Sequence, residues 1–114
     1  MRFRDKIPSV YNLASARNGT IYIGVTSDLH SRIGQHKQHL IEGFTQKYGV
    51  TRLVYYEQHD SMDAAIRREK TLKEWRRTWK IRLIEGMNPE WLELFDDSSG
   101  TLLDGPADVA RRSH

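Results

Sequence analysis

Val10-Tyr11-Asn12-Leu13-Ala14 and Thr20-Ile21-Tyr22-Ile23-Gly24-Val25-Thr26, joined through Ala16-Arg17-Asn18-Gly19, set how this chain begins to fold. Both runs carry β-branched and aromatic residues, which suit a pleated, half-buried surface. Asn18-Gly19 is a turn signal, because these residues enter the left-handed backbone region at little cost, and a β-hairpin is expected. With a four-residue loop, Ala16 to Gly19, Tyr11 falls opposite Gly24 and Leu13 opposite Tyr22. A two-residue turn would shift the register by two and leave the faces unchanged. Strand side chains alternate, so Tyr11, Tyr22 and Gly24 share one face and Ile21, Ile23 and Val25 the other. A glycine beside two phenols lets a ligand or a backbone approach closely.

Beyond the hairpin, Ser27 or Asp28 can cap a helix running to about Leu40, with Leu29, Ile33 and Leu40 as apolar positions. Gly43 to Gly49 reads as a loop and Leu53 to Glu57 as a third strand. Asp60 or Ser61 then caps a helix of roughly fifteen residues ending near Trp75. A further helix runs to Glu85, where Gly86 is expected to stop it. Pro89 can open a short last helix from Glu90 to Leu94. The order β-β-α-β-α-α predicts an α+β domain: a small three-stranded, mostly antiparallel sheet flanked by helices. Residues 1–95 are expected to form this domain. Asp96 to His114, rich in Ser, Gly and Asp, are expected as a mobile acidic tail.

The chain has 114 residues, 29% of them charged and 38% hydrophobic, which is one soluble domain's worth. It contains no cysteine, which excludes disulfides and thiolate metal sites and suits a reducing cytoplasm. No apolar run approaches the ~18–20 residues that span a bilayer. The basic N-terminus, Met1 to Pro8, has no apolar stretch behind it and does not read as a signal peptide. Net charge is +3 but unevenly placed: Arg67 to Arg82 hold eight Lys/Arg against two Glu, whereas Glu93 to Asp108 hold five acidic residues and no basic one. A basic block on one face is a footprint for a polyanion such as nucleic acid; the competing account is a solvated, salt-bridged helix face.

Glu69 is the anomaly. Met62, Ala65, Ile66, Leu72 and Trp75 form the apolar stripe of the second long helix, and Glu69 falls inside it. A lone carboxylate is costly to bury unless it is paired or bound to a metal. Arg32 and His36, four apart on the first helix, share a face. Lys37 and His39 nearby read as solvated residues. Trp75 and Trp79, also four apart, read as core or half-core residues rather than base-stacking platforms.

Together these residues match a pattern. Val10-Tyr11-Asn12 followed by Tyr22-Ile23-Gly24 resembles the paired motif of the GIY-YIG nuclease superfamily. Arg32 lies in Asp28-Leu29-His30-Ser31-Arg32-Ile33-Gly34-Gln35-His36-Lys37, which resembles that family's helix motif. Ala65-Ile66-Arg67-Arg68-Glu69-Lys70 is similar to the segment that holds its metal-binding glutamate. Asn88-Pro89-Glu90-Trp91 resembles small stand-alone bacterial members related to the N-terminal nuclease domain of the UvrC excision-repair subunit. The likeness spans about residues 8 to 95. It departs in the first motif, where only the tyrosine of Gly-Ile-Tyr is kept.

The resemblance implies a Mg²⁺-dependent endonuclease, with Mn²⁺ as a substitute, acting on nucleic acid, foremost DNA in repair or processing. Glu69 would hold the metal, and Arg32, whose planar fork suits phosphate, would meet charge growing in the transition state. Tyr11, Tyr22 and His36 would line the side of the attacking water, with the general base open among the three. Asn88 would orient a group near the metal. Lys70, Lys73, Arg76, Arg77 and Lys80 would follow the phosphate backbone. The alternative is a module of the same fold that grips nucleic acid within a repair complex without cutting it.

Overall fold

A computed structural model describes residues 6–38, 43, 47–96 and 99–105. Strands β1 (Ser9–Ala14), β2 (Ile21–Thr26) and β3 (Arg52–Gln58) form one antiparallel sheet in the order β2-β1-β3. The helices are α1 (Leu29–Lys37), α2 (Met62–Glu74) and α3 (Arg77–Met87). This is the α+β architecture and element order expected from the sequence.

The hairpin closes through the four residues Ala16 to Gly19. Ser15 N–H bonds to the Thr20 carbonyl, Gly19 N–H bonds to the Ala16 carbonyl, and Asn18 takes the left-handed conformation at φ 60°. Tyr11 is paired with Gly24 and Leu13 with Tyr22. The sheet's irregularity lies instead between β1 and β3, where Asn12 faces Tyr55 and Leu13 faces Leu53, leaving Val54 bulged between them.

The two faces of the sheet bury different layers. Tyr11, Leu13 and Leu53 pack with Leu29 and Ile33 of α1 and with Val50, Leu94 and Phe95. On the opposite face Val10 and Ile23 meet Ala65 and Leu72 of α2, and Ala14, Val54 and Tyr55 meet Ile84 of α3 and Trp91. Asn12 sits on this second face at 0% exposure, and among the described residues neither its Nδ2 nor its Oδ1 has a hydrogen-bond partner. Helix starts follow their caps: Asp28 accepts from Ser31 N–H for α1, and Ser61 accepts from Ala64 N–H at 3.1 Å for α2. Glu57 ties β3 to α2. It accepts from Arg68 Nε at 2.9 Å and from Tyr55 Oη at 2.5 Å, and it pairs with His59 at 2.6 Å. Burial pushes the Glu57 carboxyl up, but these hydrogen bonds outweigh it and hold the group below its usual range.

Four expectations are corrected. Gly86 does not stop its helix. A single glycine costs about 1 kcal/mol inside a helix, and α3 continues to Met87, where Asn88 caps it and Pro89 follows. No helix forms over Glu90–Leu94. Asn88 to Trp91 is a turn closed by Trp91 N–H on the Asn88 carbonyl, and Trp91 then takes φ 58°, which a continuing helix does not allow. The domain does not end at residue 95: β4 (Phe95–Asp96) pairs with β5 (Thr101–Leu102). Leu103 is buried, its N–H bonds to the Leu94 carbonyl, and its own carbonyl accepts from Tyr56 Oη. Finally, α1 ends at Lys37 with Gln38 as its cap. The apolar position expected at Leu40 lies outside the described residues, as do His39 and the tail from 106 onward.

Candidate active site

The hairpin and α1 bring three rings together. Tyr11 and Tyr22 lie on one face with ring centroids 6.4 Å apart, and His36, one turn beyond Arg32 on α1, stands 5.9 Å from the first and 6.1 Å from the second. Tyr11 Oη is 3.2 Å from His36 Nε2. Gly24 makes this packing possible. A Cβ there would come within 2.4 Å of Tyr11 Cζ and 2.5 Å of its Oη, so the phenol occupies the space that any other residue would fill.

Burial, then the charges of Arg32 and Lys37, lower the His36 pKa to about 4. His36 is therefore neutral near pH 7, and its Nε2 accepts from the Tyr11 hydroxyl when the ring proton sits on Nδ1. Burial also pushes the Tyr11 phenol up. Tyr22 and Glu69 act in the same direction and Arg32 opposes them, so Tyr11 stays protonated. The charges of Arg32 and Glu69 thus act on this one phenol in opposite directions. Arg32 is half-exposed and lines a cleft of about 380 Å³ with Thr26, Asp28, Ser31 and Gln35.

Glu69 is only 9% exposed, and it meets Lys73 one turn further along α2, with Nζ 2.6 Å from its carboxylate. The pairing resolves the anomaly in the apolar stripe, since a buried carboxylate needs a cation. Among the described residues no group of three or more His, Cys, Asp or Glu could hold a metal. A cation here would need a phosphate to complete its shell. One carboxylate plus substrate oxygens fits Mg²⁺, which keeps several waters and takes few protein ligands.

Asn88 does not join this group. Its amide donates to the carbonyls of Val54, the bulged residue of β3, at 3.0 Å and of Leu92 at 2.8 Å, and its Oδ1 accepts from Leu92 N–H at 3.1 Å. Both amide protons are thus committed to the backbone of a fully buried corner, and the expected role beside a metal gives way to a structural one. The basic set also divides. Lys70 and Arg76 are exposed and Lys80 is half-exposed, whereas Lys73 serves Glu69. Arg77 Nη2 clasps the carbonyls of Asn18 and Gly19, at 2.7 and 2.8 Å, fastening α3 to the hairpin turn. Lys37, expected to be solvated, is ion-paired to Glu93, whose other oxygen accepts from Leu53 N–H. Of the two tryptophans expected as core or half-core, Trp75 is half-buried and Trp79 is 43% exposed. No helix among the described residues is long and apolar enough to cross a membrane.

Comparison with known proteins gives the family. Residues 7–82 match the family model described as the GIY-YIG catalytic domain. A UPF0213 protein of Staphylococcus aureus strain Mu3 is 27% identical over 73 residues, which cover 64% of this chain and 89% of that protein. Its counterpart in strain N315 gives the same figures. The solution NMR structure of a UPF0213 protein from Bacillus halodurans is 31% identical and covers 68% of this chain and 82% of that one, with a TM-score of 0.44. With two-thirds of its length matched, including both tyrosines, Arg32, His36 and Glu69, the chain belongs to the GIY-YIG catalytic domain family, a family of nuclease type.

Proposed function

We propose that this protein is a Mg²⁺-dependent endonuclease, with Mn²⁺ able to substitute, that hydrolyses phosphodiester bonds of nucleic acid, foremost DNA in repair or processing in the cytoplasm. The observation that carries the reading is the cluster of the Tyr11, Tyr22 and His36 rings, with the charges of Arg32 and Glu69 acting on the same buried phenol. Glu69 would hold the cation, which when bound supplies charge neutralisation at phosphorus.

The protein's own groups do the rest. Arg32 receives a phosphate oxygen in the cleft beside α1, where its charge follows the growing negative charge of the transition state. The attacking water gives its proton to Tyr11 Oη while the Tyr11 proton passes to His36 Nε2, leaving hydroxide at phosphorus and an imidazolium behind. The relay meets the difficulty of a phenol that burial keeps protonated, since Tyr11 needs never become a free phenolate. Once phosphate neutralises Arg32, one of the charges that weaken His36 as a base is removed. Tyr22 stands against both rings and limits their movement. Lys70, Arg76 and Lys80 supply the positive surface along α2 and α3.

The test is a panel of labelled DNA and RNA structures incubated with Mg²⁺, with Mn²⁺ and with chelator. Cleavage that needs metal and disappears in Glu69→Gln is expected; parental cleavage by Glu69→Gln sinks the assignment. The second reading, a binding module within a repair complex, draws support from Lys73, which already compensates Glu69 without a metal. Tight binding with no cleavage under any metal would select it.

A further inference from the structure

Where α2 passes into α3, two tryptophans and three arginines meet at the surface, and of these the proposed function uses only Arg76, as part of the positive surface. Trp75 caps α2, Arg76 begins α3, and Trp79 follows in its first turn. The indoles cross edge to face with centroids 5.8 Å apart. Trp75 is anchored against the Val10, Ile23 and Leu72 cluster, whereas Trp79 is 43% exposed. Arg76 makes no cap hydrogen bond with its side chain; its guanidinium lies over the Trp79 ring at 4.7 Å, and Arg68 lies over Trp75 at 5.4 Å. Trp75, Trp79, Arg82 and Leu83 line an open groove of about 340 Å³.

We infer that this groove is a stacking site for unpaired nucleobases, so that the preferred substrate carries single-stranded nucleotides beside the bond that is cut. The inference rests on the nuclease reading for the word substrate, but the binding claim stands on the groove alone. An exposed indole under a guanidinium is the surface on which bases stack, because both planes accept a π-face of any sequence. Charge says which partner is meant. The groove lies within the segment that holds eight Lys/Arg against two Glu, and the first turn of α3 contains no acidic residue to neutralise its positive end. An apolar protein partner would not call for that excess of cations, whereas a strand whose bases stack and whose phosphates lie beside Arg76 and Arg82 would. Trp75 is six residues beyond Glu69, about 9 Å along the axis of α2, a length of two to three stacked base steps, and it packs on the sheet face opposite Tyr11 and Leu13.

Intrinsic fluorescence tests this in chelator, where no cutting occurs. Trp91 is fully buried, so Trp79 supplies the exposed signal. The probes are a short single-stranded oligothymidylate, the corresponding oligouridylate, a duplex of equal length, and inorganic polyphosphate, which has the charge without the bases. Single strands should quench the emission, polyphosphate should not, and the DNA and RNA strands together show whether the sugar matters. Trp79→Leu keeps the apolar bulk and removes the π-face; it should weaken single-strand binding by about fivefold or more while duplex binding changes little. Trp79→Phe should recover part of the loss. Equal quenching by polyphosphate, or single-strand affinity unaltered in Trp79→Leu, overturns the inference whether or not the protein cuts. Intact single-strand stacking in a protein that never cleaves would refute the nuclease reading alone.

Discussion

Replacing Gly24 by Ala tests the centre of the candidate site with one methyl group. The new Cβ would stand 2.4 Å from Tyr11 Cζ, and ordinary contact begins at 3.4 Å, so the ring must retreat by 1.0 Å. Tyr11 is 2% exposed and fixed at its far end by the 3.2 Å bond to His36, so retreat means strain in the packing and loss of that bond. Overpacking costs about 1–3 kcal/mol and the hydrogen bond about 1 kcal/mol, together about 2–4 kcal/mol, or roughly 8–16 °C in Tm for a domain of this size. A displacement of about 1 Å at a reacting group also costs about 100-fold in rate. Thermal melting and single-turnover cleavage read the two effects separately. Gly34→Ala on α1 is the control, because nothing lies within 4 Å of its Cβ; that variant should melt no lower than the parent. A Gly24→Ala protein that melts with the parent and cuts at the parental rate would show that the Tyr11 phenol does not occupy this space.

Asn12→Leu should raise stability by about 1–3 kcal/mol, since it removes a buried amide without partners from a central strand; a lower melting temperature would mean that the amide is satisfied. Stability should fall as pH drops from about 6.5 to about 4. Over that window the unfolded chain protonates His36 and the folded one does not, an effect of no more than about 3 kcal/mol that His36→Gln should flatten in acid denaturation curves. Arg32→Lys should bind nucleic acid yet cut at least about tenfold more slowly, because the charge stays and the bidentate fork goes; equal rates would make Arg32 a general phosphate contact. Tyr11→Phe and Tyr22→Phe should each slow cleavage with little change in Tm, and the double variant should be scarcely slower than the worse single one; normal rates with much lower melting would make both packing residues.

The hairpin and its pairing were legible because the local signals agreed, Asn18-Gly19 at the turn and alternating β-branched residues, whereas the space at Gly24, read as an approach for a ligand or a backbone, is filled by the Tyr11 phenol. Glu69 was legible as a charge in an apolar stripe, but not its cation, since a Lys four residues on is common on any helix. Other features depended on contacts far apart in sequence. Asn88 looked available until the bulge at Val54 supplied a carbonyl for its amide, and that bulge is a property of β1 and β3 together. Arg77 looked like a phosphate contact until α3 placed it on the hairpin turn, 58 residues earlier in the chain at Gly19. Trp79 stands four residues after Trp75, a spacing that fits a core or half-core pair, yet only Trp75 packs on the sheet while Trp79 is exposed. The β4–β5 pair was missed because polar, glycine-containing sequence conceals Leu102 and Leu103, two apolar residues with a face to cover.

That last segment changes what counts as the functional unit. The family match ends at residue 82, yet residues further along the chain seal the sheet: Ile84 and Trp91 over one face, Leu94, Phe95 and Leu102 at the other. A fragment cut at 82 would carry every proposed catalytic side chain and leave Leu13, Leu53 and Val54 open to water, so it should collapse or aggregate rather than work. Chemistry and closure are therefore separable in this fold. The proposed reacting groups reside in the first three-quarters of the chain, while the last quarter acts as a stopper that supplies apolar surface and the hydrogen bonds of Asn88 and Glu93. A graft of this proposed nuclease centre onto another protein would have to bring its own stopper.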